Sequence, residues 1–161
     1  MSVALGTYLK DHLGAAQVAI QLLEAMCDQH KEERYREFAR RVLPEIQSDD
    51  ETLRSIIAAI AEEPSSIKNA GGWLLEKMAR LKLGHTGSSD LEMFESLEML
   101  SLGVAGKRSL WKALQIVSPA DARLGTFDFA ELLHRAEDQF DTIEHERLRL
   151  ARQVLTPQSV K

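Results

Sequence analysis

Histidine, carboxylate and arginine side chains interrupt the apolar faces of this sequence, and those are the places where it could do chemistry. His12 falls inside the series Leu5, Leu9, Ala16, Ala19, Leu23 and Met26. Steps of three and four residues put such a series on one helix face. Asp49 interrupts Phe38, Val42, Ile46, Leu53, Ile56 and Ile60 in the same way. Arg108 falls among Phe94, Leu97, Ser101, Val104 and Trp111, and Arg147 among Leu133, Ala136, Phe140, Ile143, Ala151 and Val154. A carboxylate on a buried face needs a partner or a proton. A buried guanidinium without a carboxylate costs on the order of several kcal/mol. The expectation is therefore a buried polar network of His12, Asp49, Arg108 and Arg147. Heights counted along ideal helices put His12, Asp49, Arg108 and Glu137 in one layer, and Glu45, Glu98, Glu144 and Arg147 in another.

Other spacings carry less. Glu131 and His134 form the one Glu-x-x-His of the predicted fourth long helix, but they lie in its first turns, where Asp128 and Glu131 read as a capping arrangement. Cys27 and His30 are spaced like metal ligands, yet two ligands do not make a zinc site. His85 sits in a loop. The stretch Lys107-Arg108-Ser109-Leu110-Trp111-Lys112 is basic and holds a tryptophan, but in an acidic chain it reads as an ordinary helix with one packing aromatic. No phosphate-binding glycine loop, nucleophile elbow or catalytic triad is visible.

Four long helices must carry these residues. Periodicity predicts them at about Val3–His30, Glu32–Glu63, Ser89–Val117 and Phe127–Leu155, each spanning about 40–48 Å. Pro44 predicts a kink or break between Arg40 and Pro44. A shorter helix is expected over Ser66–Leu83, weakened at Gly71-Gly72, and Gly84–Ser89 is the clearest loop. Ser89 and Glu92 have capping-box spacing. The turn after the first helix is tight and the link before the fourth is short, whereas the second and third helices are joined by a long crossover. That pattern predicts an all-α bundle over residues 1–155 in which the second and third helices run the same way, followed by a frayed tail at 156–161.

The chain has 161 residues, nine glycines, four prolines and a single cysteine, with a net charge of −5. Few helix breakers favour helices, and one cysteine rules out a disulfide framework within the chain. The acidic balance argues against nucleic acid, and no apolar run reaches the ~20 residues of a membrane span. No secretory signal pattern opens the sequence, so the expected location is the cytoplasm.

Two helix pairs joined by a long crossover resemble the ferritin-like superfamily. More narrowly, Tyr8-Leu9-Lys10-Asp11-His12-Leu13, Ala79-Arg80-Leu81-Lys82-Leu83 and Gly106-Lys107-Arg108-Ser109-Leu110-Trp111 resemble a branch of small bacterial ferritin-like proteins without an assigned activity. Metal-carrying members of the superfamily use one Glu from each of two helices and Glu-x-x-His from each of the other two. Here His12 stands where a carboxylate would be expected, and Glu45, Asp49, Glu95 and Glu98 have no histidine three residues on. The resemblance implies either of two functions. One is a bundle without a catalytic metal, its polar core neutralised by arginine, acting by association with itself or a protein partner in a stress-related role. Trp73 and Trp111 would then be candidate contact residues. The other is a di-iron or di-manganese oxidoreductase or iron-handling protein, with His12, Glu45, Asp49, Glu98, Glu137 and Asp141 as ligands. A third reading has His12 and Asp49 orienting a small molecule in a cleft between helices.

Overall fold

The computed structural model describes residues 3–61 and 90–156. Within them lie four long helices: α1 (Val3–Gln29), α2 (Glu33–Ile60), α3 (Asp90–Val117) and α4 (Phe129–Val154). Two single 3-10 turns, Ser118–Ala120 and Ala122–Leu124, join α3 to α4. The predicted Ser66–Leu83 helix, the Gly84–Ser89 loop with His85, Trp73, Gly71-Gly72, the Ser89 cap and residues 157–161 lie outside the described residues.

Local chemistry sets the helix ends. Asp128 caps α4 by accepting from the Ala130 and Glu131 amides at 3.1 and 3.0 Å, which satisfies donors that have no partner within the helix. Between α1 and α2 the Glu32 amide donates to His30 Nδ1 at 3.1 Å, and Arg36 reaches back to the carbonyls of His30 and Lys31. Of the kink or break expected at Pro44, a break does not occur: α2 is continuous from Glu33 to Ile60. Pro44 and Arg40, whose carbonyl would have accepted the missing N–H, are both exposed. Water can take the lost donor's place there.

The apolar faces close into two clusters. One gathers Leu23, Tyr35, Val42, Leu97, Ile143 and Leu150 with their neighbours, and the other gathers Leu9, Ile56, Trp111, Leu124, Phe129 and Ala136. α2 and α3 pass from the first cluster to the second, whereas α1 and α4 pass from the second to the first. So α2 and α3 run the same way, as the sequence predicts. Asp90, at the start of α3, accepts a 3.0 Å hydrogen bond from Tyr35 Oη near the start of α2, so the two helices begin side by side. The result is an all-α four-helix bundle of two hairpins, α1–α2 and α3–α4, in which α1 also packs on α3. Among the described residues no helix is long and apolar enough to cross a membrane.

The predicted inward face of α2 is matched residue for residue, from Phe38 to Ile60 with Asp49 included. On α3 the predicted Phe94, Leu97, Ser101, Val104 and Trp111 are buried but Arg108 is not, and on α4 only Ala136 and Ile143 of the predicted series are buried, so that face is rotated. The regular inward series on α3 is Met93, Leu97, Leu100, Val104, Lys107, Trp111 and Leu114. On α4 it is Leu132, Ala136, Gln139, Ile143 and Leu150. Truncating the fully buried Ile143 to Ala should cost about 2–5 kcal/mol. Leu102→Ala, at a residue 63% exposed, should cost less than about 0.5 kcal/mol. Urea unfolding of the two variants beside the parent checks the contrast.

Candidate functional site

A charged layer separates the two apolar clusters at mid-height. Its centre is Asp49, placed between Ile46 and Leu53 on α2 and only 3% exposed. Asp49 Oδ2 accepts from Lys107 Nζ at 2.5 Å and from Gln139 Nε2 at 3.1 Å. Its Oδ1 accepts from Arg135 Nη2. Lys107 also donates to Gln139 Oε1, which closes a three-residue ring of hydrogen bonds. The neighbouring Asp50 is buried too, accepting from Gln17 at 2.9 Å and from Arg54 at 2.8 Å. Every helix contributes: Gln17 from α1, the two aspartates from α2, Lys107 from α3, and Arg135 and Gln139 from α4.

The cations that meet Asp49 are therefore Lys107 and Arg135, and not Arg108 and Arg147. Those two arginines stand at the α3–α4 flank and pair with the acids beside them. Arg108 is 3.6 Å from Glu137 and lies 5.0 Å over the Phe140 ring. Arg147 grips both oxygens of Glu144, at 2.8 and 2.5 Å, approaches Glu98 at 3.6 Å and covers the Phe94 ring. Ser101 adds a 3.1 Å hydrogen bond to Glu144, and this bond with the Arg147 contacts holds the Glu144 carboxyl below the usual carboxylate range. Arg108 with Glu137 and Arg147 with Glu98 and Glu144 are partners from the same expected layers, but Arg108 does not meet His12 or Asp49 and Arg147 does not meet Glu45.

The other candidates are dispersed. Glu45, Glu98 and Asp141 are exposed, and Glu137 is engaged by Arg108. His12 is half-buried, its ring edge-on to Tyr8 at 4.7 Å. Burial lowers its pKa while Asp11 opposes the shift. Glu131 and His134 are exposed, and His134 sits 3.6 Å from Asp138. Cys27 packs partly against the first cluster, with its thiol pushed up by burial. Trp111 is 1% exposed and so offers no contact surface. Among the described residues no three His, Cys, Asp or Glu side chains converge as metal ligands would. The donor set does not fit a carboxylate-bridged metal pair, since Asp49 already spends both oxygens on cations.

His12 and Asp49 do share one feature, a cleft of about 40 Å³ between α1, α2 and α3. It exists because, beyond His12, α1 presents the small side chains of Ala15, Ala16 and Ala19 where the opposing helices leave room. Lys107 lines it as well. Burial pulls the Lys107 ammonium down to about 7, with Glu45 opposing.

No protein-family model, curated protein or solved structure matches this chain. Its class is given by its own architecture, a four-helix bundle with a charged middle layer.

Removing the acid should strand two cations. Asp49→Ala is expected to destabilise the fold by about 3–5 kcal/mol. The double variant Asp49→Leu with Lys107→Met should recover part of that loss, and a double-mutant cycle in urea measures it. A second expectation concerns pH. Folded Lys107 releases its proton near about 7, against 10.5 for the ordinary side chain. Between those values the unfolded chain binds the extra proton, so this group makes stability rise with pH, by up to about 1.4 kcal/mol per unit. Urea midpoints from neutral to alkaline pH should show a slope that Lys107→Met lacks.

Proposed function

We propose that this chain is a ferritin-like bundle in which lysine and arginine fill the layer that metal-carrying members give to ions, and that it works by association rather than by redox catalysis. Topology supports the first half: two hairpins, with α2 and α3 parallel across a long connection. The observation that carries the proposal is the commitment of both Asp49 oxygens to Lys107, Arg135 and Gln139. Three of its roughly four lone-pair sites are taken, and the cations seated on both oxygens would repel an incoming metal ion.

Association has a candidate surface. Leu91, Leu102 and Ile116 are exposed on one side of α3, with Leu102 at 63% and Ile116 at 79%, and Leu148 on α4 and Leu155 just after it are exposed as well. They are separate apolar points along the surface, and an interface would have to span the side of α3 to cover them. A stress-related setting is the physiological part of the proposal and rests on the resemblance alone.

The test is the full chain purified without chelators, with its mass measured by light scattering and its metals by elemental analysis. The expected result is a homo-oligomer at micromolar concentration that Leu102→Asp with Ile116→Asp dissociates, carrying iron, manganese and zinc well below one ion per chain. A monomer at every concentration would remove self-association. Stoichiometric iron or manganese, with oxygen or peroxide turnover lost in Asp49→Asn, would favour the di-metal reading instead.

A further inference from the structure

The mid-bundle cleft holds hydrogen-bond donors that association leaves unused. Trp111 lines it together with His12, Asp49, Asp50 and Lys107. The Trp111 indole N–H is buried and has no partner, a state that native proteins rarely leave unanswered. Lys107 spends two of its three N–H donors on Asp49 and Gln139. Lys107 and Trp111 are four residues apart on α3, so their side chains share one face a turn apart. The half-buried His12 imidazole stands opposite, on α1.

The charges that face Lys107 come from every helix. α2 brings Asp49 and, farther off, Glu45; α4 brings Arg135 and Gln139; α1 brings His12; and Arg108 on α3 itself is engaged by Glu137. The charge of Asp50 is answered by Arg54. Asp49 alone touches two cations, Lys107 and Arg135, and Glu45 opposes only from farther off.

We propose that the cleft binds a small carboxylate, of the size of formate or acetate, through the Trp111 indole N–H and the free N–H of Lys107. Size selects it: about 40 Å³ is a few times the roughly 10–15 Å³ that one water needs, and well short of what a longer organic acid would require. The apolar walls suit a ligand with one charged end. Gly103 provides the entrance. It lines the cleft and is exposed, and nothing lies within 4 Å of the place its Cβ would occupy. Binding also couples to protons, because an anion beside Lys107 favours the ammonium form.

The experiment uses the full-length ¹⁵N-labelled protein titrated with sodium formate, ionic strength being held constant with sodium chloride. The Trp111 indole N–H resonance, assigned by its loss in Trp111→Phe, is the readout. A saturable shift is expected. Affinity should fall about tenfold from roughly pH 6 to pH 8 as Lys107, with its pKa near about 7, loses its proton. Lys107→Met should weaken binding at least about tenfold. Gly103→Leu, which closes the mouth without touching a donor, should do the same and decides the matter if Lys107→Met does not fold. The absence of a saturable shift overturns the proposal, as does an equal response to chloride alone or undiminished binding in Gly103→Leu.

Discussion

A carboxylate placed at the centre of a helical bundle dictates what surrounds it. Asp49 is removed from water, and an ion in that position must be met by charge and by hydrogen bonds at once. Three side chains from the opposite hairpin do this, Lys107 from α3 and Arg135 and Gln139 from α4. The consequence reaches beyond the layer. Apolar contacts above and below are non-directional and would tolerate small slides of one helix along another. The hydrogen bonds of Asp49 would not, because a shift by one turn separates it from all three partners. We regard the layer as the device that sets the register between the α1–α2 and α3–α4 hairpins, on the principle that buried polar groups specify arrangement more than they add stability.

The same constraint explains where the remaining charges lie. Arg108 and Arg147 stay at the flank, where their stems and guanidinium faces cover Phe140 and Phe94 while the charged ends reach Glu137, Glu98 and Glu144. A long cation next to a core buries its apolar stem in this way, although the Arg108 Nε is itself buried without a partner. A lysine one residue earlier on α3 faces inward instead, and its depressed pKa reflects the desolvation it accepts. The small residues of α1 complete the picture. Alanines opposite Asp49 and Lys107 leave a gap that larger side chains would have filled, and that gap is the cleft.

Much of this could be read in the residues beforehand. Periodicity located all four long helices to within three residues of their ends. On α2 it also identified Asp49 as an inward acid, since the apolar series through Ile46 and Leu53 passes through it, although the adjacent Asp50 is buried as well and gave no such signal. On α3 the apolar residues left a choice that decided the site. Met93 and Phe94 are both buried, as are Leu100 with Ser101 and Leu110 with Trp111. Two series therefore fit equally well, one passing through Arg108 and one through Lys107, and they share Leu97, Val104 and Trp111. On α4, Leu132 with Leu133 and Gln139 with Phe140 posed a similar choice, and the aromatic residue drew the reading toward the wrong side. Gln139 is polar yet lies inward because Asp49 and Lys107 give its amide both an acceptor and a donor. Nothing local to α4 announces that.

The four long helices, their lengths and the presence of a buried acid on α2 all follow from short-range order along the chain. Capping, proline placement and the three-to-four-residue repeat depend on neighbours a few positions away. Which cation answers the acid does not. Lys107 is 58 residues from Asp49 and Arg135 is 86, and a rotation of α3 by one residue's worth of arc would exchange Lys107 for Arg108. Only the packing of one hairpin on the other chooses between them, because the choice is made by which end of the pair finds a carboxylate in the core and which finds water at the edge.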